Sequence, residues 1–533
     1  MAVRVTGYGG IAEIGGNKFL LEDADWQVLL DFGTSFSTTH RYFEQFLRPR
    51  PTMGTHDYLQ TGLLPPLRGL YRPDLEVLPQ TVAFWESAKR SQGFRDDVRP
   101  EMLLLSHAHA DHVGYLPFLR PEIPVLASAS TALITKAIQD GGSGGLESET
   151  IFVRPRNVRG AVLEADRTAS WIQRPWQILD PERWTPEAAR FWRRGFGAKR
   201  GKWIRHAADT SNAIPGSHRV RSFPVDHSIR GAHGFAIETS VGWIAYTGDI
   251  RMHGRNGKTT LAFAEELAKL DVALLICEGT QASSRSGATE KHVRERAMTT
   301  VGDAIGLVVA DFGPRHIERL ETFLDAAVEA ERKLVILEKD ALLLHALHTV
   351  DTTVPVPGEA TNLLIYRDSR TRTSAWQELI YTSYPKALLD PVDIQADPSR
   401  FVLALSLFDV TRLLDILPGS GTWIYSSSEA YNEDQLLDME RLRQWVELSG
   451  MRLVGAQGSD NPNDAGLHAS GHASGPDLLR FISIANPKAL MPVHLEESSL
   501  LFYRRELKHL GVSLLEPTWG EAIEVPTSSS RKA

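Results

Sequence analysis

Short apolar runs recur along the chain, and several of them lead to an acidic residue or a histidine. Runs of this length are typical of buried strands, and a loop at a strand end can direct alternate side chains towards one point. The side chains that follow these runs are therefore candidates for chemistry. The runs are 27–30 ahead of Asp31, 102–105 ahead of His107, 243–246 ahead of Asp249, 272–277 ahead of Glu278 and 489–493 ahead of His494.

A second pattern occupies the segment from about 281 to 430, where predicted helices and strands alternate. Ile317, Leu320 and Phe323 share one face of a helix predicted within Pro314–Glu331, as expected for a helix that packs on a core. Buried strands are predicted at 333–337, 401–405 and 422–426. Together these elements indicate a compact α/β unit inside the chain.

One loop concentrates side chains that bind metals. Within six residues it contains His107, His109, Asp111 and His112. Because a strand-end loop directs alternate residues to one side, we expect His107 and His109 to face one metal, and Asp111 and His112 a second metal beside it. Imidazole and carboxylate suit zinc, and manganese less exclusively. A polar loop with chance histidines is the alternative, although ordinary loops seldom hold four such ligands together.

The pattern His-x-His-x-Asp-His after an apolar strand resembles the metal motif of the metallo-β-lactamase superfamily. Glu278, the sequence His-Ala-Ser-Gly-His at 468–472 and the strand that ends at His494 are similar to the β-CASP nucleases. Within that group the chain looks most like the bacterial ribonuclease J family. The resemblance implies an α/β fold, namely a metallo-β-lactamase αββα sandwich with an inserted α/β β-CASP cap domain.

The resemblance also implies how the chain is divided. The segments are 1–280 for the first part of the metallo-β-lactamase domain, with insertions at about 36–98 and 154–210, 281–432 for the β-CASP domain, 433–497 for the return of the first domain, and 498–533 for a short C-terminal extension with a disordered tail. Few residues follow His494, so the family's separate C-terminal domain is expected to be missing or minimal. The oligomeric state is left open, with a homodimer as one alternative.

Metal ligands follow from the same resemblance, which implies two zinc ions, with Mn²⁺ or Mg²⁺ as alternatives. Asp31 matches a residue that orients the ligands rather than binding the metal. The implied ligands are His107, His109 and His227 for the first metal, Asp111, His112 and His494 for the second, and Asp249 as a bridge between them.

Catalytic residues are implied as well: Asp111 through the metal, and His472 as a general acid that Glu278 holds in position. A structural hydrogen bond between two domains is the alternative role of His472 and Glu278. His468 and Ser470 match a loop that receives a substrate phosphate. A second phosphate loop of the family usually reads Phe-Ala-Ser-Asn, and here Arg315 stands in its place as a candidate phosphate ligand.

Charge bears on the substrate. The formal net charge is −8, which argues weakly against blanket binding of nucleic acid. The segment 190–206 is nevertheless basic and interleaved with aromatic residues, which is the composition of a strand-binding surface. A solvated loop whose aromatic side chains pack on the core is the alternative. The candidates for contact with nucleic acid are Arg193, Arg194, Lys199, Arg200 and Trp203.

These observations lead to one expected function and three alternatives. We expect a ribonuclease that hydrolyses RNA phosphodiester bonds as a 5′-exonuclease, an endonuclease or both, in RNA processing or decay. A DNA nuclease on the same scaffold is the main alternative, with single-stranded DNA as substrate, although His494 favours RNA by family association. The others are a small-molecule hydrolase and a non-catalytic scaffold subunit.

Location follows from the absence of membrane and export signals. No apolar run approaches the roughly 18 residues that span a membrane, and the first residues do not resemble a signal peptide. We therefore expect a cytoplasmic enzyme without a membrane partner. The only cysteine, Cys277, lies in an apolar strand and is expected to be a core residue.

Overall fold

Residues 2–44, 46–196, 204–205, 214–285, 287–427, 433–456 and 466–526 are described by the computed structural model. Within these ranges the chain forms 25 strands and 16 α-helices. In chain order the strands are β1 (Arg4–Gly9), β2 (Lys18–Asp23), β3 (Trp26–Phe32), β4 (Met102–Leu104), β5 (Val125–Ala127), β6 (Phe152–Val153), β7 (Arg156–Arg159), β8 (Val162–Ala165), β9 (Trp171–Gln173), β10 (Trp176–Ile178), β11 (Ile204–Arg205), β12 (Val220–Pro224), β13 (His233–Thr239), β14 (Gly242–Tyr246), β15 (Val272–Glu278), β16 (Leu307–Asp311), β17 (Lys333–Leu337), β18 (Leu363–Tyr366), β19 (Leu388–Leu389), β20 (Phe401–Ala404), β21 (Gly421–Tyr425), β22 (Met451–Val454), β23 (Ala489–Val493), β24 (Ser513–Leu514) and β25 (Ala522–Glu524).

The helices vary in length from about one turn to about four and a half turns. In chain order they are α1 (Phe36–Tyr42), α2 (His56–Gln60), α3 (Pro79–Ala88), α4 (Ala110–Val113), α5 (Ala129–Gly141), α6 (Pro186–Arg193), α7 (Gly257–Leu267), α8 (Glu290–Gly302), α9 (Ile317–Glu329), α10 (Glu338–His348), α11 (Ala375–Ser383), α12 (Pro391–Ala396), α13 (Leu413–Ile416), α14 (Glu433–Leu448), α15 (Gly475–Ala485) and α16 (Glu497–Leu510).

Two sheets pack face to face as the sandwich. The first has the order β10-β5-β4-β3-β2-β1-β25, and the second has the order β12-β13-β14-β15-β23-β24. Alternation within each strand assigns its side chains to two layers: in β4, Met102 and Leu104 join the core between the sheets, while Leu103 joins the core on the outer face. Because both faces are covered, such strands read as continuous apolar runs.

Helices cover the outer faces of both sheets. Phe263 of α7, Phe481 of α15 and Leu507 of α16 pack on the second sheet. On the first sheet, α5 is joined by much of the insertion at 36–98, whose Tyr71 and Trp85 are buried. The described arrangement is the expected αββα sandwich.

A third large sheet forms the inserted α/β unit. Its order is β19-β18-β17-β20-β16-β21-β22, and its paired strands all run parallel. Helix α9 begins at Ile317, within the predicted segment, and buries Leu320 and Phe323. The strand predicted at 333–337 is β17. Helices between parallel strands are expected, because such strands need long crossover connections.

Sheet pairing shifts the segment boundaries drawn from the sequence. β22, at Met451–Val454, pairs with β21, so the sheet of the inserted unit extends beyond 432. β24 pairs with β23, and β25 pairs with β1, so the described part of 498–533 belongs to the two sandwich sheets rather than to a separate extension. The predicted disordered tail at 527–533 lies outside the described residues. The division into domains remains a proposal.

Within the described residues, no helix is both long enough and apolar enough to cross a membrane. Cys277 is fully buried in β15, where burial raises the pKa of its thiol to about 12. This location matches the expectation of a core residue.

A buried ion network joins the sandwich to the inserted unit. Glu290, at the start of α8, accepts hydrogen bonds at 2.9 Å from both Arg251 and Arg319. Arg251 also donates to Glu318 at 2.7 Å, and Arg319 donates to the carbonyl of Ser426 at 2.5 Å. Because Arg251 follows Asp249 by two residues, this network connects the inserted unit to the loop after β14 that contains Asp249.

Replacing Glu290 with Gln should destabilise the protein, since it leaves two buried arginines without their shared carboxylate. We expect the free energy of unfolding to fall by about 3 kcal/mol, measured by urea denaturation. The control is Glu295→Gln on the same helix, whose exposed carboxylate lies 3.8 Å from Lys291 and should change stability by about 0.5 kcal/mol or less. Equal midpoints for the two variants would contradict the prediction.

The same carboxylate gives a pH test. Burial opposes ionisation of Glu290, but His316, Arg319 and Arg251 hold its pKa well below its usual range. A group with a lowered folded pKa contributes stability above its unfolded pKa, and that contribution is lost as the pH falls. The stability of the wild type should therefore decrease more steeply below about pH 5 than that of Glu290→Gln. Parallel stability profiles for the two proteins would contradict this expectation.

Candidate metal centre

Strand ends from both sheets meet at one edge of the sandwich. His107 follows β4 of the first sheet, and helix α4 then carries Asp111 and His112. His227 follows β12, and His494 follows β23. The other contributions come from the second sheet too: Asp249 follows β14, and Glu278 is the last residue of β15.

Three histidines form the first group of candidate ligands. Nδ1 of His109 lies 3.1 Å from Nε2 of His107 and 3.1 Å from Nε2 of His227. Burial lowers the pKa of His109 to about 3 and lowers the pKa values of His107 and His227 well below the ordinary value. The three rings are therefore neutral, with nitrogen atoms converging on one point.

Asp111, His112, Asp249 and His494 form the second group. Oδ2 of Asp249 lies 3.1 Å from Nε2 of His112, and Oδ2 of Asp111 lies 3.1 Å from Nε2 of His494. The same oxygen of Asp249 is 3.7 Å from His107 and 3.7 Å from His227. Asp249 therefore stands between the two groups.

Hydrogen bonds behind the rings determine which nitrogen faces inward. Nδ1 of His227 donates to the carbonyl of Gly471 at 2.6 Å, and Nδ1 of His112 donates to Asp31 at 2.7 Å. Thr280 donates its hydroxyl to the carbonyl of His494, so it accepts from Nδ1 of that ring at 2.6 Å. With Nδ1 protonated, Nε2 is the free acceptor in each ring.

This donor set fits a metal ion. Nε2 of His112 and Nε2 of His494 each face a carboxylate oxygen at 3.1 Å, and imidazole nitrogen and carboxylate oxygen together are a typical ligand set for a metal cation. Oδ1 of Asp249 is buried without a hydrogen-bond partner among the described residues. Burial lowers the pKa of His112, but Asp249, Asp111 and Asp31 raise it well above the ordinary value, which shows how strongly the carboxylates favour positive charge here. The cluster could therefore hold metal.

Asp31 lies behind the ligands and is completely buried. It accepts hydrogen bonds from the amide and hydroxyl of Ser106, both at 2.7 Å, and from Tyr246 at 2.6 Å. Together with its bond to His112, these contacts hold Asp31 behind the candidate ligands. Asp31 and His494 both have positive φ, 53° and 54°, which costs energy for residues other than glycine.

His472 and Glu278 form a pair beside the second group. Nδ1 of His472 lies 3.0 Å from Oε2 of Glu278, which is completely buried. Burial lowers the pKa of His472, but the negative charge of Glu278 outweighs it and raises the pKa to about 9. A ring nitrogen of His472 also lies within 4.8 Å of ligand atoms of His227 and Asp249. The pair therefore places an imidazole with a raised pKa next to the candidate metal ligands.

The candidate phosphate ligands lie on two sides of the centre. Ser470 is in the loop that contains His468 and His472, and its hydroxyl accepts a hydrogen bond from the amide of His472 at 3.1 Å. Arg315 comes from the inserted unit, at the loop after β16, and lines a cavity together with Ala108 and Ala110. Burial lowers the pKa of its guanidinium, and Asp111 opposes this.

The basic-aromatic segment is only partly described. Lys199, Arg200 and Trp203 lie outside the described residues. Arg193 and Arg194 are exposed, but their aromatic neighbours in α6 are not. Phe191 and Trp192 are buried in the core, as in the alternative interpretation of this segment. Phe196 is half-buried, and the Arg194 guanidinium lies 4.6 Å from the centre of its ring. The described part therefore exposes cations, while its aromatic rings are buried or half-buried.

Several residues of the site carried no signal in the sequence pattern. Tyr246 and Thr280 orient Asp31 and His494, and a strand residue or a threonine after a strand is too common to be singled out. His253 donates to the carbonyl of Ser470 at 2.8 Å. Asp226 precedes His227, and its Oδ2 lies 3.4 Å from Nε of Arg251, which offsets its negative charge.

Comparison with known proteins agrees with this geometry. Residues 465–517 match the family described as Zn-dependent metallo-hydrolase RNA specificity domain. This segment contains His468, Ser470, His472 and His494.

Similarity to curated proteins extends over most of the chain. Ribonuclease J of Corynebacterium glutamicum is 22% identical over 518 residues, which cover 96% of this chain and 55% of that protein. Ribonuclease J of Mycobacterium tuberculosis is 23% identical over 508 residues, covering 92% of this chain and 68% of that protein. The chain thus spans between about half and two thirds of the length of these relatives.

A solved structure shares the fold. The crystal structure of a protein of unknown function from Enterococcus faecalis V583 aligns with a TM-score of 0.65 and 19% identity, covering 98% of this chain and 100% of that one. The chain therefore has an α/β metallo-β-lactamase-like fold, it matches the RNA specificity domain family at 465–517, and it is similar to ribonuclease J over most of its length.

Proposed function

We propose that this chain is a metal-dependent ribonuclease that hydrolyses phosphodiester bonds of RNA. The observation that carries the proposal is the convergence of seven histidine and aspartate side chains into two adjoining groups that share Asp249. The match of residues 465–517 to an RNA specificity domain and the similarity to ribonuclease J support RNA as the substrate.

The two groups would hold two zinc ions, with Mn²⁺ or Mg²⁺ as alternative occupants. When bound, a pair of such ions supplies a nucleophile from water near neutral pH and offsets charge on the transferring phosphoryl group. The proposed ligands are His107, His109 and His227 for one ion, Asp111, His112 and His494 for the other, and Asp249 for both.

His472 is proposed to protonate the departing oxygen. Its ring is held by Glu278 at 3.0 Å and lies against the ligand groups, and its raised pKa keeps it protonated at neutral pH. A general acid must be protonated and must lie within reach of the leaving group. Glu278 acts as a positioning residue, because its other oxygen accepts from the amide of Ile250 at 2.8 Å and its orientation is thereby fixed.

Substrate phosphates adjoining the scissile bond are proposed to contact His468, Ser470 and Arg315. Arg315 lies in the loop after β16 of the inserted unit, and the loop at 468–472 precedes α15 of the sandwich. A cationic guanidinium and a hydroxyl are both suitable donors to phosphate oxygen. This arrangement would place the RNA backbone across the junction of the two units.

Metal content tests the ligand assignment. We expect two zinc ions per chain by inductively coupled plasma mass spectrometry, and loss of at least one in the Asp111→Ala, His112→Ala double variant. Asp226→Asn is the matched control, because this carboxylate adjoins His227 in sequence but faces Arg251, and it should retain both ions. A single zinc ion in the wild type would contradict the two-ion assignment.

His472→Gln should keep both metals and reduce kcat by about 10²- to 10⁴-fold, the usual contribution of a general acid. His253→Asn serves as the control for loop structure, because this histidine bonds the same loop through the carbonyl of Ser470. Near-normal kcat in His253→Asn alongside loss in His472→Gln supports the assignment. Full activity of His472→Gln with two metals bound would exclude it.

The substrate is tested with one sequence in four forms: 5′-monophosphate RNA, 5′-triphosphate RNA, 5′-hydroxyl RNA and single-stranded DNA. We expect hydrolysis of RNA, because His468, Ser470, His472 and His494 lie in the segment that matches an RNA specificity domain. The Asp111→Ala, His112→Ala protein controls for contaminating nuclease. Release of mononucleotides from monophosphate RNA would identify a 5′-exonuclease, and cleavage of DNA alone would overturn the proposal.

A further inference from the structure

An unusual apolar surface lies next to the candidate metal centre. It belongs to residues 36–44 and 46–50, which we call the aromatic arm. Helix α1, its first part, buries none of its residues. Phe46 is 86% exposed, and Phe36 and Tyr42 are 43% and 47% exposed. Soluble proteins seldom expose several large apolar side chains together unless the surface binds something.

The charge of the aromatic arm indicates what it binds. Arg41, Arg48 and Arg50 are exposed, and Glu44 is the one acidic residue between Phe36 and Arg50. Arg50 pairs with Asp57, yet 62% of its side chain stays exposed. Exposed aromatic rings interleaved with cations are the composition of surfaces that bind single-stranded nucleic acid, through base stacking and phosphate contacts.

The two residues before the arm connect it to Glu13 and to the loop at 106–112, here called the metal loop. The amide of Thr34 donates to the carbonyl of Ala110 at 2.9 Å, one residue before Asp111. Ser35, which caps α1, donates its hydroxyl to Glu13 at 2.6 Å. The arm therefore begins beside a candidate metal ligand.

A cavity of about 300 Å³ lies beneath the arm. Thr39 and Pro49 form part of its wall, and Ala108, Ala110 and Arg315 form another part. The cavity thus extends from the underside of the arm to the metal loop and to the candidate phosphate ligand. A strand held on the arm would lie close to the candidate metal centre.

We propose that the aromatic arm binds the single-stranded part of the RNA outside the metal centre, with bases stacked on Tyr42 and Phe46 and phosphates near the arginines. The inference rests on the proposed function and names the surface that delivers its substrate. It differs from the prediction drawn from the sequence at 190–206, because Phe191 and Trp192 there are buried whereas Tyr42 and Phe46 are exposed.

The test is a binding measurement on the full chain with its metals. The ligand is a fluorescent single-stranded RNA with phosphorothioate linkages, which slow hydrolysis, and the readout is anisotropy. Removing both rings in a Tyr42→Ala, Phe46→Ala variant should raise the Kd by about tenfold or more. With ordinary RNA the same variant should raise KM and leave kcat at saturation unchanged, since the arm does not touch the reacting atoms.

Two further variants separate stacking from general effects. Tyr42→Phe, Phe46→Tyr keeps both rings and should retain wild-type affinity. Ile305→Ala removes an apolar side chain that is 84% exposed. Ile305 precedes β16, whereas Arg315 follows that strand, so this variant should bind RNA normally.

Unchanged Kd and KM in the alanine variant would overturn the inference, while cleavage of RNA by the wild type would leave the proposed function standing. A further outcome is that the wild type dimerises in sedimentation or binds phosphatidylglycerol vesicles. If the alanine variant then loses that property and keeps its RNA affinity, the inference is also overturned, and the arm is assigned to that other contact. Absence of RNA hydrolysis by the metal-loaded wild type would instead refute the proposed function.

Discussion

The buried carboxylate of Asp31 is the contact on which the candidate centre depends. It accepts four hydrogen bonds, from the amide and hydroxyl of Ser106, from His112 and from Tyr246. Ser106 belongs to the loop after β4 of the first sheet, and Tyr246 ends β14 of the second sheet. A carboxylate removed from water is costly unless its oxygens are fully bonded. Here that requirement fixes the two sheets and the ring of His112 relative to each other.

Glycine residues provide the second constraint, because the backbone must approach the ligand loop closely. A Cβ on Gly33 would lie 1.7 Å from the carbonyl oxygen of Asp111, and a Cβ on Gly15, where φ is +83°, would lie 2.9 Å from the Asp111 side chain. The carbonyl of Gly10 accepts the amide of His494 at 2.7 Å. The glycine-rich turn between β1 and β2 therefore supports two candidate ligands that are far apart in the sequence.

Ion pairs as well as apolar contacts join the inserted unit to the sandwich. Arg251 bonds Glu290 and Glu318 across the junction, and Arg315 approaches Asp111 from the inserted unit. Placing a substrate at this junction would bring residues of both units to the same phosphodiester. Breaking a buried pair leaves an uncompensated charge, so the network resists separation of the two units.

The sequence by itself determined the strand ends and the chemistry placed on them. An apolar run followed by a histidine or an acid is a local pattern, and it was enough to predict the strands that precede His107, Asp249 and His494. The roles of Asp249 and His494 were implied by the resemblance to a family and stay proposals. The helix α9 and the strand β17 were predicted for the same reason, since periodicity depends only on neighbouring residues.

Tertiary structure decided the features that depend on residues distant in the sequence, namely strand pairing, histidine tautomers and the burial of aromatic rings. β22 joined the inserted sheet because it pairs with β21, which no local pattern indicates. The tautomers of His227 and His494 are set by Gly471 and Thr280, which are remote in the chain. Burial also distinguished the segment at 190–206 from the aromatic arm, which has a similar composition. Trp192 is buried in the core and Phe46 is exposed, and only packing decides between these two environments.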